Sequence, residues 1–278
     1  MMMKSRIAWF CVLCLMGLGA RADPEPAAAE PEHKGARYLL GAALSVEPEY
    51  AGADRQRFKL RPLWAMQYGR FRLSTSRASG LMSLGGGEAG GPGASLDLLR
   101  GERLRLGLSL RVDRGRDSDE SAHLAGVPDV RGTLRGRVYA SYVLAGPWSL
   151  AGGLSQDLLG RKGGLLGSLD LNYRGRLGPG TEWGAGAGLS FGDRRYMRSY
   201  FGISEAVAAR SVYAVFDPER ATRDLHAGIG LSRVLDRHWV GFVGAGISTL
   251  LADAAASPLT QRRYSYSAAA GLAYRWGP

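Results

Sequence analysis

The feature that most constrains this chain is a strict alternation of apolar and polar side chains. The segment from Arg103 to Val112 reads RLRLGLSLRV, so that Leu and Val occupy one face and Arg, Gly and Ser the other. A period of two predicts a β-strand. About 9 to 11 residues is the length with which a tilted strand crosses a bilayer, and apolar-out, polar-in alternation is typical of a membrane barrel. The segment therefore predicts one wall strand of such a barrel.

The same period recurs at two further places. Between Leu165 and Arg174 a glycine, two leucines and a tyrosine alternate with Ser, Asp, Asn and Arg. From Tyr264 to Trp276 one face carries aromatics at both ends and small apolar residues between them. Two interfacial girdles flanking a hydrocarbon band require this distribution. A strand of an ordinary β-sandwich, the alternative, does not explain why the aromatics avoid the middle.

Applied to the whole chain, the pattern predicts an all-β fold, a closed antiparallel transmembrane β-barrel of about 12 strands. Connections alternate between short and mostly long, which predicts short periplasmic turns and long extracellular loops, with both termini in the periplasm. Pro62 lies inside the second strand and cannot donate a ladder hydrogen bond, so a bulge or a strand end would fit there. The predicted strands are 36–46, 57–67, 70–78, 93–99, 103–112, 131–143, 148–157, 165–174, 181–191, 224–234, 238–248 and 264–276.

Residues 1–22 predict a cleaved signal peptide. Lys4 and Arg6 precede an apolar run of about a dozen residues, shorter than the ~20 of a spanning helix, and the triplet Ala20-Arg21-Ala22, with small residues at its first and third positions, favours cleavage after Ala22. Residues 23–34, DPEPAAAEPEHK, predict a flexible periplasmic leader, which leaves 35–278 as the barrel. Both cysteines lie in the signal, so the mature chain would have no thiol chemistry. The expected location is the outer membrane of a Gram-negative cell.

The chain is basic, with 36 Lys and Arg residues against 25 Asp and Glu residues. Loss of the three basic residues in 1–22 leaves 33 against 25, an excess of +8. Because the arginines are scattered and an exported protein rarely meets nucleic acid, we expect no nucleic-acid partner. Outer-membrane lipid, anionic lipopolysaccharide, murein and anionic solutes are better candidates.

Four loop motifs resemble those of the MipA/OmpV family of outer-membrane proteins. The first loop carries PEYAGAD at 48–54, and the third carries GRD at 115–117 followed by LAG at 124–126. The fifth carries YMRSYFGI at 196–203, the most specific of the four, and the sixth carries ADAAASPL at 252–259. One departure is that Gly277 and Pro278 follow Trp276, whereas barrel chains usually stop on an aromatic residue.

The resemblance implies a scaffold that holds a murein hydrolase, a lytic transglycosylase, together with a murein synthase. Some relatives are linked instead to adhesion or to osmotic and antibiotic responses. Since the predicted periplasmic turns are short, residues 23–34 would be the main contact of a scaffold. The candidate loop and partner contacts are Tyr50, Asp54, Arg116, Asp117, Tyr196, Met197, Tyr200, Phe201, Asp253, Ser257 and Pro258.

A search for catalytic or cofactor chemistry returns no recognisable site. No serine and acid can be assigned to His226 by spacing, and the acidic loop around His123 favours a solvated loop over a divalent-cation site. The glycine string from Gly184 to Gly188 lies in a strand, where glycine lets the wall bend or leaves room in the lumen. We therefore predict no enzyme, no cofactor and no metal.

The predicted inner face is rich in arginine, and a register slip would turn arginines toward lipid at about 2 to 4 kcal/mol each near the midplane. A basic lumen favours a narrow anion-preferring channel or, our preference, a lumen filled or plugged by paired charges and loops. The inward basic residues are Arg37, Lys59, Arg61, Arg70, Arg72, Arg105, Arg111, Arg135, Arg137, Arg174, Arg233 and Arg275, opposed by Asp97, Asp157, Asp170 and Glu182.

The fifth loop, from Gly192 to Asp224, is the longest and the richest in aromatics. Its aromatics would fold into the barrel mouth as a plug, which we prefer, or would form a platform for a partner or for lipopolysaccharide sugars. Three functions remain open: a scaffold for murein enzymes, a narrow anion-preferring channel and a surface adhesin.

Overall fold

The computed structural model describes residues 35–75, 92–219 and 221–277. Within these residues twelve antiparallel strands close into a barrel, in which each strand pairs with its neighbours in the chain and β1 pairs with β12. The predicted fold class and strand count are confirmed. The strands are β1 (Arg37–Pro48), β2 (Gln56–Tyr68), β3 (Phe71–Ser74), β4 (Gly93–Arg100), β5 (Leu104–Asp113), β6 (Thr133–Ala145), β7 (Trp148–Asp157), β8 (Leu165–Gly178), β9 (Thr181–Gly192), β10 (Thr222–Val234), β11 (Trp239–Leu250) and β12 (Tyr264–Trp276).

The two ends of the barrel differ in their connections. One end, the short-turn end, carries the turns 69–70, 101–103, 146–147, 179–180 and 235–238. The other, the long-loop end, carries loops 1 to 6, which span 49–55, 75–92, 114–132, 158–164, 193–221 and 251–263. Three short helices lie in the described loops: α1 (Arg194–Phe201), α2 (Glu205–Ala208) and α3 (Ala252–Ala256). None of the helices in the described residues is long and apolar enough to cross a membrane.

The alternation of side chains sets which face of each strand is wetted by lipid. In β5, Leu108 and Leu110 are exposed on the outside, whereas Gly107 and Ser109 are buried inside. An aromatic belt surrounds the short-turn end, where Tyr38 stacks on Trp276 with ring centroids 5.6 Å apart. Bands of exposed leucine and valine next to such a belt are what a hydrocarbon layer and its interface require.

Pro62 does not interrupt β2, so the expected bulge or strand end at this position is wrong. The pairing of β2 with β1 runs without a shift from Gln56 to Gln67. The Trp64 carbonyl oxygen accepts from the Thr75 amide, and the Trp64 amide donates to the Thr75 hydroxyl, on the edge that faces β3. Because residues two apart in a strand use the same edge, Pro62 also faces that side, beyond the last residue of β3. The missing N–H of Pro62 therefore removes no hydrogen bond from the pairing of β2 with β1.

Two of the predicted strands, the third and the eighth, differ in length from those of the structure. The eighth strand continues to Gly178, four residues beyond the predicted end at 174. The third strand is short, and positions 76–78 of its predicted range lie outside the described residues, as do the predicted signal 1–22 and leader 23–34.

Candidate functional site

A hydrophobic core built from four loops covers the long-loop end. Loops 1, 3 and 5 leave the closed barrel four strands apart, so they are evenly spaced around its rim. Residues from all three share one core, so this core lies over the mouth of the barrel. We call it the cap core. It consists of Tyr50 and Ala53 from loop 1, Leu124 and Val127 from loop 3, Ile203 and Val207 from loop 5, and Leu259 from loop 6.

Hydrogen bonds join the same loops across long distances in sequence. The Tyr50 hydroxyl lies 3.1 Å from both the Leu259 carbonyl oxygen and the Gln261 side-chain oxygen. The Ser257 hydroxyl donates to the Phe201 carbonyl oxygen at 2.7 Å. Burial raises the pKa of Tyr50 well above its ordinary value. The cap is therefore held by satisfied polar groups as well as by apolar packing.

Helix α1 is fixed at both ends. The Asp193 carboxylate accepts a hydrogen bond from the Tyr196 amide at 2.8 Å, which is N-cap geometry. At the other end Arg116 from loop 3 donates to the Tyr200 carbonyl oxygen at 2.6 Å. A cation at a helix C-terminus is favoured by the helix dipole. Burial lowers the pKa of Arg116. Met197 of α1 packs in a second hydrophobic core, which includes residues of loop 6.

The candidate contacts of the sequence analysis mostly lie inside this cap rather than on its surface. Buried are Tyr50, Arg116, Tyr196, Met197, Phe201 and Ser257; half-buried are Tyr200, Asp253 and Pro258; exposed are Asp54 and Asp117. The loop motifs therefore supply the packing of the cap, and most of their side chains are not free to touch a partner at the outer surface.

The acidic third loop uses its charges locally. Glu120 accepts from Arg57 of β2 at 2.6 Å, and Asp117 accepts from the Asp119 amide at 2.9 Å. The His123 ring lies 3.3 Å from the Pro258 carbonyl oxygen and packs edge-on against Tyr213. Within the described residues, no three His, Cys, Asp or Glu side chains are grouped as metal ligands.

Beneath the cap, His226 bridges two carboxylates on the inner wall. Its Nδ1 lies 2.9 Å from Asp224 Oδ1, and its Nε2 lies 2.8 Å from Asp170 Oδ1. Asp170 on β8 and His226 on β10 both pair with Gly188 of β9, so this bridge crosses β9 directly above a glycine. A Cβ at position 188 would lie 2.7 Å from His226 Nε2.

The sequence spacing does not identify the partners of His226. The strand register does, because it places Asp170 on the other side of Gly188. The Ser190 hydroxyl binds Asp224 rather than the imidazole, so the described residues form no serine–histidine pair here. The bridge could have been predicted from Gly188, the inward-facing glycine that lies between Asp170 and His226 in the register. The arrangement is suited to tying three strands together, because it leaves neither ring nitrogen free to activate a nucleophile.

Most of the inner-face charges are paired. Glu47 accepts from Arg61 at 2.5 Å, and Asp97 accepts from Tyr139 and Arg100 at 2.5 Å and 2.8 Å. Arg135 is buried and donates to Asp113 at 2.6 Å. The predicted lumen residues Arg61, Arg105, Arg111, Arg135, Arg137, Asp170 and Arg174 all occupy inward positions of their strands.

Arg233 is the exception, and its predicted inward position is wrong. It is two residues beyond Leu231, which pairs with the outward Trp183, so Arg233 points outward as well. Arg233 lies seven positions beyond the inward-facing His226, and an odd spacing in a strand reverses the face. An arginine next to the short-turn end can extend its guanidinium to the interface and avoid the hydrocarbon.

Inward-facing glycines leave one side of the lumen open. Six of them form two rows across β9, β10 and β11, in which Gly230 pairs with Gly184 and Gly244, and Gly228 pairs with Gly186 and Gly246. A Cβ at Gly230 would find only one backbone oxygen within 4 Å, at 3.8 Å. In the second row the Asn172 side chain lies over Gly186, 2.6 Å from the position of a Cβ there, so we call only the open row, Gly184, Gly230 and Gly244, the glycine wall. The lumen was predicted to be filled or plugged. Among the described residues the mouth is capped by loops, whereas no side chain lies within 4 Å of the Cβ positions along this row.

A closed twelve-strand barrel with an apolar exterior, an aromatic belt and a charged interior defines an outer-membrane β-barrel protein. A family model described as "MltA-interacting protein MipA" matches residues 40–276, so the chain belongs to this family. The resemblance that the loop motifs indicated is thereby confirmed. No curated protein matches the sequence.

Solved structures of similar shape are outer-membrane barrels. An outer membrane channel from Pseudomonas putida F1 is 12% identical with a TM-score of 0.46, and covers 91% of this chain and 99% of its own. The toluene transporter TodX of Pseudomonas putida is 11% identical with a TM-score of 0.38, over 87% and 89%. OmpT of Vibrio cholerae is 6% identical with a TM-score of 0.39, over 88% and 98%. With TM-scores below 0.5, these similarities do not bear on function.

Proposed function

We propose that this protein is a non-catalytic outer-membrane anchor that recruits a lytic transglycosylase, and through it a murein synthase, to the periplasmic face of the membrane. The observation that carries the proposal is the cap. The loop motifs typical of the family pack together and close the long-loop end, so their role is to stabilise the barrel. The surface that remains available to a periplasmic partner is the short-turn end. The family description, which names MltA as the interacting protein, supports the same choice.

The short-turn end has the chemistry of a docking surface. Exposed arginines surround it, with Glu102 and Asp236 as exposed acids among them. A basic rim steers and orients a partner with an acidic surface, even where the contact area is small. The chain before β1 also joins the barrel here, because Arg37 pairs with Gln67 beside the turn 69–70. We call these arginines the basic rim: Arg100, Arg103, Arg176, Arg237 and Arg275.

The test is capture of tagged protein from crosslinked cell envelopes, followed by identification of the bound proteins. We expect a lytic transglycosylase and a murein synthase to be enriched with the natural chain. Deletion of 23–34 or the double change Arg103→Glu with Arg237→Glu should reduce this capture several-fold. The matched control reverses two exposed arginines at the long-loop end, Arg131→Glu with Arg210→Glu, and should capture normally. Absence of both enzymes at good bait recovery would contradict the proposal.

A narrow anion-preferring channel is the second candidate, favoured by the open side of the lumen along the glycine wall. It requires ions to pass the cap. Conductance of the natural protein in planar bilayers, with loss of anion preference in Arg105→Glu or Arg137→Glu, would support it. A barrel that stays closed in the bilayer would exclude it.

A surface adhesin is the third candidate, and the tip of loop 5 favours it. Val212 is 92% exposed and Val215 is 55% exposed, on a loop whose neighbouring side chains are packed in the cap. Apolar tips of this kind are available for contact with another surface. Replacement of both valines by serine should abolish host-cell binding if this function is real, and leave it unchanged otherwise.

A further inference from the structure

We infer that the lumen contains a binding site for a small oxyanion, a carboxylate or phosphate group held between Arg105 of β5 and Arg174 of β8 at the short-turn end. The inference does not rest on the proposed scaffold. It rests on two arginine side chains that have no hydrogen bond or close ion pair among the described residues, on the space in front of them and on the side from which that space is reached.

Arg105 and Arg174 both point inward, and neither side chain makes a hydrogen bond or an ion pair within 4.0 Å among the described residues. They are near enough for their two positive charges to interact. Like charges that face each other across a lumen are unfavourable, and an anion between them removes the repulsion. The planar fork of a guanidinium matches carboxylate and phosphate oxygens, so two such forks form a specific oxyanion clamp.

The neighbouring acids are engaged elsewhere or lie to one side. Asp97, which pairs with Gly107 two residues beyond Arg105, is occupied by Tyr139 and Arg100, with Arg72 at 3.8 Å. Glu182 interacts electrostatically with Arg174, but its carboxylate lies 3.8 Å from Arg176. These contacts leave the donors of Arg105 and Arg174 without a direct acceptor.

The glycine wall provides the volume for a ligand. Arg174 pairs with Gly184, which continues the row through Gly230 to Gly244. A Cβ at Gly184 would meet only the Tyr173 backbone oxygen within 4 Å, at 3.3 Å. A solute whose oxyanion is clamped by the two arginines can therefore place its remaining atoms along this wall without displacing a side chain.

The site is reached from the short-turn end. Arg105 is the second residue of β5, directly after the turn 101–103, and the Arg174 amide donates to the Pro147 carbonyl oxygen of the turn 146–147 at 3.0 Å. Both arginine side chains are exposed to solvent, whereas the cap core lies over the opposite mouth. The lumen is thus a blind chamber, and its ligand is a small periplasmic solute carrying a carboxylate or a phosphate.

The experiment is calorimetric titration of the folded, detergent-purified full chain at low, constant ionic strength. Inorganic phosphate and succinate are the two probes, and they distinguish a phosphate ligand from a carboxylate ligand. We expect saturable binding of at least one probe. Arg105→Gln and Arg174→Gln should each weaken it about tenfold or more, the range for a lost charge-assisted contact. Gly230→Leu, which fills the chamber without changing charge, should weaken it as well.

The matched control is Arg210→Gln, which removes an exposed arginine from the cap surface and should leave binding unchanged. The proposal is overturned if neither probe binds, or if Arg105→Gln and Arg174→Gln bind as well as the natural chain. A gel shift between unboiled and boiled samples establishes that each variant is folded. Because Arg105→Gln should retain capture of the murein enzymes, failure of the oxyanion site and failure of the scaffold are separately visible.

Discussion

Single glycines in this barrel have opposite uses that only the register distinguishes. Gly188 lies under the bridge between His226 and Asp170, so its missing side chain permits a contact. Gly230 faces open lumen, so its missing side chain leaves a space. Both belong to strands with the same alternation of glycine and small residues. The sequence predicted room for the lumen at such positions, but it could not predict which glycines are covered, because the covering groups come from neighbouring strands.

Gly188→Ala should destabilise the barrel by about 1 to 3 kcal/mol, because the added methyl breaks a buried hydrogen bond to a charged group. The matched variant Gly230→Ala should change stability by less than about 1 kcal/mol, since its methyl enters free space. The measurement is the urea midpoint of tryptophan fluorescence in lipid vesicles. Equal midpoints for the two variants would show that the bridge contributes nothing.

Two tyrosines give the cap a response to alkaline pH. Burial raises the pKa of both Tyr50 and Tyr200 above the ordinary value of 10.0. Once the pH passes this ordinary value, the opened cap loses phenolic protons more readily than the packed cap. The stabilisation is therefore complete below pH 10 and decreases as pH rises further.

We expect protease cleavage of loops 3 and 5 to accelerate as the pH rises from about 10 to 12, measured with a protease that remains active in alkali. The strands should stay resistant over the same range. Tyr50→Phe should shift the onset of cleavage upward, because the ionisable hydroxyl is gone. An onset unaffected by this change would assign the response to other groups.

At the level of elements, helix α1 shows how a loop acquires secondary structure. No helical period extends over three turns of the sequence, and α1 is only eight residues long. A helix this short is marginal by itself. Asp193 caps its start from within the same loop, but Arg116, which binds its last turn, comes from a position 84 residues earlier. The N-cap residue is thus adjacent in sequence, whereas the arginine at the other end is brought there by the fold.

Asp193→Ala should loosen α1 by about 0.5 to 2 kcal/mol, the usual contribution of an N-cap side chain. Asp193→Asn retains the acceptor and should be close to the natural protein. Hydrogen exchange of the amides in Arg194–Phe201 measures the difference, with exchange several-fold faster or more in the alanine variant. If both variants exchange alike, the carboxylate does not act as a cap.

For the whole molecule, alternation of period two was enough to predict twelve strands and their order. It also indicated which arginines face the lumen, since the outward positions of the strands are mostly apolar. The prediction was wrong at Arg233, because this residue lies at an odd spacing from a correctly placed neighbour and therefore points to the opposite face. The cap could be anticipated only as a group of loop aromatics. Its core joins residues up to 209 positions apart, and no local pattern encodes such contacts.

The membrane placement of the apolar outer surface can be tested by introducing a charged residue into it. Leu108→Arg, at the centre of β5, should reduce the stability of the inserted barrel by about 2 to 4 kcal/mol, because the charge would meet the hydrocarbon midplane. Leu104→Arg, at the short-turn end of the same face, should be tolerated much better, since the interface is near. Folding into vesicles, scored by gel mobility before and after boiling, reports the difference. Equal effects at both positions would contradict the membrane placement.

The contact between Tyr50 and Leu259 has a consequence for biogenesis. It joins the loop after the first strand to the loop before the last, so the two partners become neighbours only once β1 has found β12. A barrel with an open seam cannot bury Tyr50 against Leu259, so the loops at its long-loop end remain loose and accessible to proteases. Burial of Tyr50 thus requires a closed barrel, and protease resistance of these loops reports that closure.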